Sequence, residues 1–157
     1  VKRLWTASRR NGLEFLLELI PSKVGPVDDA TTPTLIQQFY DIGVYPDWWK
    51  LEPFKTDLAW TNAVAAIERN DPRTRGIVVL GLDAPEKDLA ASFAMAAKHP
   101  LVKGFAVGRT IFGDAARAWM KGEMSDAEAV SQMADRFSGL CEVWDDARAV
   151  ANEGAKS

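Results

Sequence analysis

The sequence predicts an α/β fold: the second half, strands 5 to 8, of a (β/α)8 TIM barrel, followed by a long C-terminal helix. Three observations predict it. Four short apolar runs alternate with segments of helical periodicity, the pattern of strands joined by crossover helices in a parallel sheet. The turn after the first run, Pro21-Ser22-Lys23-Val24-Gly25, lacks the glycine spacing of a dinucleotide-binding turn, which argues against an open doubly wound sheet. Four parallel strands standing alone also leave two unpaired edges, which a half barrel completed by a missing N-terminal half explains better. On this reading residues 1–157 are one domain and a fragment of a longer chain, and the start at Val1 without a methionine points the same way.

Taken in order, Val1 to Asn11 places Leu4, Trp5 and Ser8 at helical spacing, and Gly12 follows as a helix stop. Leu13 to Ile20 is apolar except for Glu14 and Glu18, too short for a helix, and reads as a strand with both glutamates on one face. Pro33 to Ile42 is a helix capped by Thr32 and closed by Gly43, and Val44 to Leu51 is the second strand. Asp57 to Asn70 is a helix ended by Asn70-Asp71-Pro72, and Ile77 to Leu80 is a buried strand ending in Gly81. Pro85 to Lys98 is an alanine-rich helix, His99-Pro100 turns the chain, and Val102 to Val107 is the fourth strand, ending in Gly108. Thr110 to Lys121 is the next helix. Ser125 followed by Glu128 is a capping-box signal for a last helix reaching about Asn152, beyond which the tail is polar.

With 47% hydrophobic and 26% charged residues, the chain can bury a core. A net charge of −3 and no basic stripe exclude a general nucleic-acid or acidic-membrane binder. No apolar run approaches the roughly 20 residues of a membrane helix, and no signal peptide is recognisable. The lone Cys141 excludes an internal disulfide framework, which suits a reducing, cytoplasmic setting, and the lone His99 leaves no cluster of metal-ligand spacing.

Barrel active sites form at the C-terminal ends of strands. Lys50 stands in an apolar stretch, on the same strand face as Val44, Trp48 and Glu52. Partial desolvation favours a neutral amine, which can attack a carbonyl and form a Schiff base; alternatively Lys50 emerges to solvent or pairs with Glu52. Glu18 is either a general acid/base beside such a lysine or half of a structural ion pair, with Lys50 or with a missing partner. Glu14, one layer lower, reads as structural. Gly81 and Gly108-Arg109-Thr110 end adjacent strands, where backbone amides, a helix N-terminus and an arginine can hold phosphate, although ordinary strand-to-helix turns need glycine too. Trp48 and Glu52 are candidate walls of the substrate pocket. Trp49, Trp60, Trp119 and Trp144 read as packing, Cys141 as a small buried residue, and His99 as a turn residue away from the site.

These residues resemble class I, Schiff-base sugar-phosphate aldolases of the tagatose-bisphosphate aldolase type. Phe15-Leu16-Leu17-Glu18-Leu19 resembles that family's fifth strand with its acid/base glutamate, and Asp47-Trp48-Trp49-Lys50-Leu51-Glu52-Pro53 its sixth strand with the imine-forming lysine. Val107-Gly108-Arg109-Thr110 resembles its eighth-strand phosphate turn. Trp48-Trp49-Lys50 and Val107-Gly108-Arg109-Thr110-Ile111-Phe112 are similar in particular to the aldolase-like C-terminal domain fused to the 5-dehydro-2-deoxygluconokinase of bacterial myo-inositol catabolism. The resemblance implies aldol cleavage of a phosphorylated keto sugar, with 2-deoxy-5-keto-gluconate 6-phosphate as candidate substrate. Lys50 would form the imine, Glu18 would move protons, and Gly81, Gly108 and Arg109 would hold phosphate. No cofactor or metal is implied, because the protonated imine serves as electron sink. The family's first four β/α units are absent, so the fragment alone is expected to be inactive, and pairing of two copies could cover the exposed strands. A non-catalytic sugar-phosphate-binding or regulatory domain attached to a carbohydrate kinase is the alternative: it needs the phosphate turn but no nucleophilic lysine.

Overall fold

The computed structural model describes residues 1–81 and 86–154. Its elements run α1 (Lys2–Arg10), β1 (Leu16–Leu19), a 3₁₀ turn (Pro21–Lys23), α2 (Thr31–Asp41), β2 (Trp48–Leu51) and α3 (Asp57–Asn70). They continue with β3 (Gly76–Leu80), α4 (Glu86–Ala96), β4 (Val102–Ala106), α5 (Arg109–Met120) and α6 (Asp126–Gly154). The four strands form one parallel sheet in the order β1-β2-β3-β4. The α/β alternation is as expected; the half barrel is not. The described strands form a single open sheet of four, with β1 and β4 as its two edges.

Both edges carry protection of their own. β1 is only four residues long and carries Glu18, and β4 carries exposed Lys103 at an irregularity where the register with β3 shifts between Ile77 and Val78. Short strands, charges and bulges are the ordinary ways of blunting an edge without covering it. Just before the irregularity stands Gly76, whose φ of +141° is outside the usual range of other residues. A Cβ there would lie 2.6 Å from the Leu101 carbonyl oxygen. Sequence periodicity gave no sign of it.

A sequential strand order joined by crossovers of one hand puts the helices on one side of the sheet. There Leu17, Leu19, Trp49, Leu51, Ile77, Val79 and Val102 meet Ile36 and Tyr40 of α2, Trp60 and Ile67 of α3, Phe93 of α4, and Leu140 and Trp144 of α6 in one core. Arg148 binds α6 to the rest by donating to the carbonyls of Ala97 and Val102, at the end of α4 and the start of β4. Positive charge at a helix C-terminus is favourable there. The other face of the sheet carries Leu16, Glu18, Trp48, Lys50 and Val78, and Leu16 is 46% exposed.

Several boundaries move for local reasons. β1 begins at Leu16 rather than Leu13, because the Phe15 amide donates to the Asp47 carboxylate at 2.8 Å instead of entering a ladder. β2 begins only after Pro46 and Asp47, at Trp48. Thr32 is not the cap of α2: the Thr31 hydroxyl donates to Asp28 at 2.6 Å and the Ala30 amide to the same carboxylate, and the helix starts two residues earlier than expected, at Thr31, with Thr32 buried. Asp57–Asn70 forms as read, with Thr56 accepting from the Ala59 amide. The Ser125–Glu128 capping box is present in both directions, with Ser125 N donating to Glu128 at 2.9 Å and Glu128 N to Ser125 Oγ at 3.3 Å. The expected helix start at Pro85, the Leu82-Asp83 end of the third strand and the last three residues of the tail lie outside the described residues. Among the described residues no helix is long and apolar enough to cross a membrane.

Candidate functional site

Parallel pairing sets Glu18 of β1 directly beside Lys50 of β2, on the face without the core. Lys50 Nζ lies 2.9 Å from Glu18 Oε1, with the lysine side chain 24% and the glutamate 40% exposed. Lys50 therefore pairs with Glu18, not with Glu52. Both side chains line a cleft of about 260 Å³ at the C-terminal ends of the strands, and Gly81, Gly108 and Arg109 line it too. Ile20, Leu80, Val107 and Phe112 supply its apolar wall. Five of the seven residues selected from the sequence thus meet in one place, contributed by the ends of all four strands.

The two glycines have packing reasons of their own. A Cβ on Gly81 would come within 2.8 Å of a Val107 methyl, and one on Gly108 within 3.1 Å of the Phe112 ring. Gly108 is also the N-cap of α5, so Arg109 and Thr110 open that helix at the cleft. A helix start carries partial positive charge and suits an anion there.

Trp48 and Glu52 do not line the cleft. The Trp48 indole donates to Glu14 at 2.8 Å, and Glu14 also pairs with Arg75 at 2.8 Å. Glu52, just past β2, is only 5% exposed and accepts from the Ser22 amide at 3.1 Å and the Ser22 hydroxyl at 2.5 Å. It clamps the turn after β1 instead of facing substrate. His99 is also elsewhere, 3.2 Å from Asp57 and stacked on Trp60. Trp49, Trp60 and Trp144 are core residues as read, whereas Trp119 is 48% exposed and donates to Asp126, joining α5 to α6. Cys141 is half-buried rather than buried.

Sequence reading missed Lys23, which also lines the cleft. The signal was available: Lys23 falls in the turn directly after a strand, where barrel and open α/β sheets alike place their ligands. Among the described residues the cleft is lined by Lys23, Lys50 and Arg109 and by the carboxylate of Glu18. A roomier concavity of about 470 Å³ lies beside Glu52, and Asp28 and Asp29 make it acidic. The Thr31 hydroxyl holds the Asp28 carboxyl below the usual carboxylate range, so it remains charged and unsuited to a phosphate.

No curated protein matches the chain. The model of a family described as "Uncharacterized protein conserved in bacteria (DUF2090)" matches residues 1–148, a span that takes in all four strands and every residue of the cleft, and the chain belongs to that family.

Proposed function

We propose that the cleft is the site of a class I aldolase acting on a phosphorylated keto sugar, for which 2-deoxy-5-keto-gluconate 6-phosphate remains the candidate. The observation that carries this reading is the 2.9 Å contact between Lys50 Nζ and Glu18 Oε1 in the cleft beside the Gly108-Arg109 turn. A lysine ammonium cannot attack until it loses a proton, and Glu18 is within hydrogen-bond distance to take it. The neutral amine adds to the keto carbon, and Glu18 returns the proton to the carbinolamine oxygen, which leaves as water. Glu18, again a carboxylate, then takes the β-hydroxyl proton and the carbon–carbon bond breaks: an aldehyde departs, and the bonding pair moves into the iminium to give an enamine. Protonation of the enamine carbon and hydrolysis of the imine release the second product and restore Lys50. Arg109 and the start of α5 would anchor the phosphate, fixing the keto carbon against the amine.

The same ion pair also favours a second reading. A paired, three-quarters buried lysine suits a purely structural role, and the cleft would then be a sugar-phosphate-binding or regulatory site of a kinase-linked domain. Borohydride trapping separates the two. The protein is incubated with dihydroxyacetone phosphate and reduced, and the adduct is mapped by mass spectrometry. An adduct on Lys50, absent in Lys50→Ala, is the expected result. Arg109-dependent binding without any adduct would overturn the aldolase reading in favour of the binding domain.

A further inference from the structure

We infer that two copies of this chain pair head to tail, with helix α1 of each copy seated in the groove between α4 and α6 of the other. The inference is independent of the chemistry of the cleft.

Among the described residues α1 is the one α-helix that gives nothing to the core. It is held only along one side, by the Trp5 indole on the Tyr45 carbonyl at 2.9 Å and by Arg9 on Asp47 at 3.0 Å. A helix of nine residues is marginal in water unless an apolar side is packed. The side turned away from Trp5 carries Arg3, Leu4, Ala7 and Arg10, all exposed, with Leu4 at 68%. Arg3 and Arg10 form no ion pair with a described residue.

The groove between α4 and α6 has a volume of about 500 Å³ and is walled by Ala94 of α4 and by Val143, Ala147 and Val150 of α6. Val150 is 70% exposed. Asp146 lines the groove, opposite Lys98 just past α4, and Glu153 stands two turns further along the same edge of α6. Neither carboxylate pairs with a described cation.

The two surfaces match in charge and in spacing. Arg3 and Arg10 are seven positions apart, as are Asp146 and Glu153, and at 1.5 Å per residue each pair spans about 10.5 Å. A helix laid in the groove sets Leu4 against the valines while its arginines reach the two carboxylates. The wider field favours the same approach: α1 has four cations and no carboxylate, whereas α6 has seven carboxylates and two arginines. Both arginines are already engaged, Arg136 with Asp114 and Arg148 with the carbonyls of Ala97 and Val102. Because α1 leads into β1 and α4 into β4, opposite edges of the sheet, the contact joins unlike surfaces. A two-fold axis then occupies both helices and both grooves in a closed pair.

Sedimentation equilibrium at roughly 100 μM protein and about 0.05 M salt, where exposed charges are weakly screened, should give the mass of two chains. Reversing the charges on either side, in Arg3→Glu/Arg10→Glu or in Asp146→Arg/Glu153→Arg, should weaken pairing at least tenfold. An equimolar mixture of the two variants should regain the two-chain mass, since every contact between unlike partners again joins opposite charges. Leu4→Asp, at an exposed position, should dissociate the pair without lowering the unfolding temperature, and it decides the matter if a doubly reversed chain fails to fold. A single-chain mass for the unmodified protein overturns the inference. So does a pair that survives charge reversal or Leu4→Asp, or a mixture of folded variants that stays monomeric.

Discussion

Trp48 and Trp49 are consecutive residues of β2 with opposite fates. Trp49 points into the helices: it is 0% exposed, lies edge-on to Tyr40 at 5.6 Å and donates its indole N–H to the Tyr40 hydroxyl at 3.1 Å. Burial pushes the Tyr40 phenol well above its usual value, so it stays protonated throughout the accessible pH range. Trp48 points to the other face, half-buried, with its indole N–H on the exposed carboxylate of Glu14. The period of two along a strand makes this division for every residue of the sheet. One face is occupied with holding the helices, which leaves the other free to hold groups that are costly to desolvate, among them Glu18 and Lys50.

Truncating each tryptophan in turn tests this division of the two faces. Trp49→Ala removes a fully enclosed ring and its hydrogen bond, and should cost about 3–5 kcal/mol in urea unfolding. Trp48→Ala should cost about 1 kcal/mol, since its ring is part-solvated and its contact with Glu14 exposed. Similar losses at the two positions would mean that the faces are not energetically distinct.

The strand–helix alternation was legible because hydrophobic periodicity and the turn residues are local properties. Sheet closure is not local, and the count of four units could not distinguish an open sheet from a rolled one. The cleft was legible through one positional rule: residues past strand C-termini converge, which brought Glu18, Lys50, Gly81, Gly108 and Arg109 together. The same rule failed for Glu52, because alternation stops where the strand stops; one residue past Leu51 the chain has turned and the carboxylate meets Ser22. Lys23 was missed because its turn was read only for the absence of a nucleotide motif. Gly76 needs a tertiary neighbour, Leu101, to reveal why it is glycine.

Away from both faces, the cap of α6 shows what an exposed polar contact contributes by contrast. Ser125→Ala should cost about 1 kcal/mol, the usual value of an N-cap. The hydroxyl and amide of Ser125 hold the Glu128 carboxyl below its ordinary value of 4.5. A carboxyl depressed in the folded state stabilises it above the unfolded value and loses that contribution as pH falls through the folded one. The stability gap between the unmodified chain and Glu128→Gln should therefore be complete at neutral pH and close on acidification below 4.5, when followed by urea titration at a series of pH values. A gap that does not vary with pH would show that the carboxylate charge plays no part in the cap.

The smallest expected change in stability is at Lys50, and it bears most directly on what the open face is for. A partly exposed ion pair contributes about 0–1 kcal/mol, because attraction at 2.9 Å is set against desolvation and the ordering of two side chains. If the pair is there for chemistry, Lys50→Met should leave urea unfolding within about 1 kcal/mol of the unmodified chain, because the methionine fills the lysine stem and Glu18, 40% exposed, can turn to water. Trapping of dihydroxyacetone phosphate should be lost in the same protein. If instead the pair is a structural tie between β1 and β2, the variant should lose several kcal/mol, as expected when one partner of a buried pair is left alone. Stability and trapping then answer separate questions on one substitution: a stable variant that no longer traps separates the open face from the packed one by function, and a destabilised one makes Lys50 part of the packing after all.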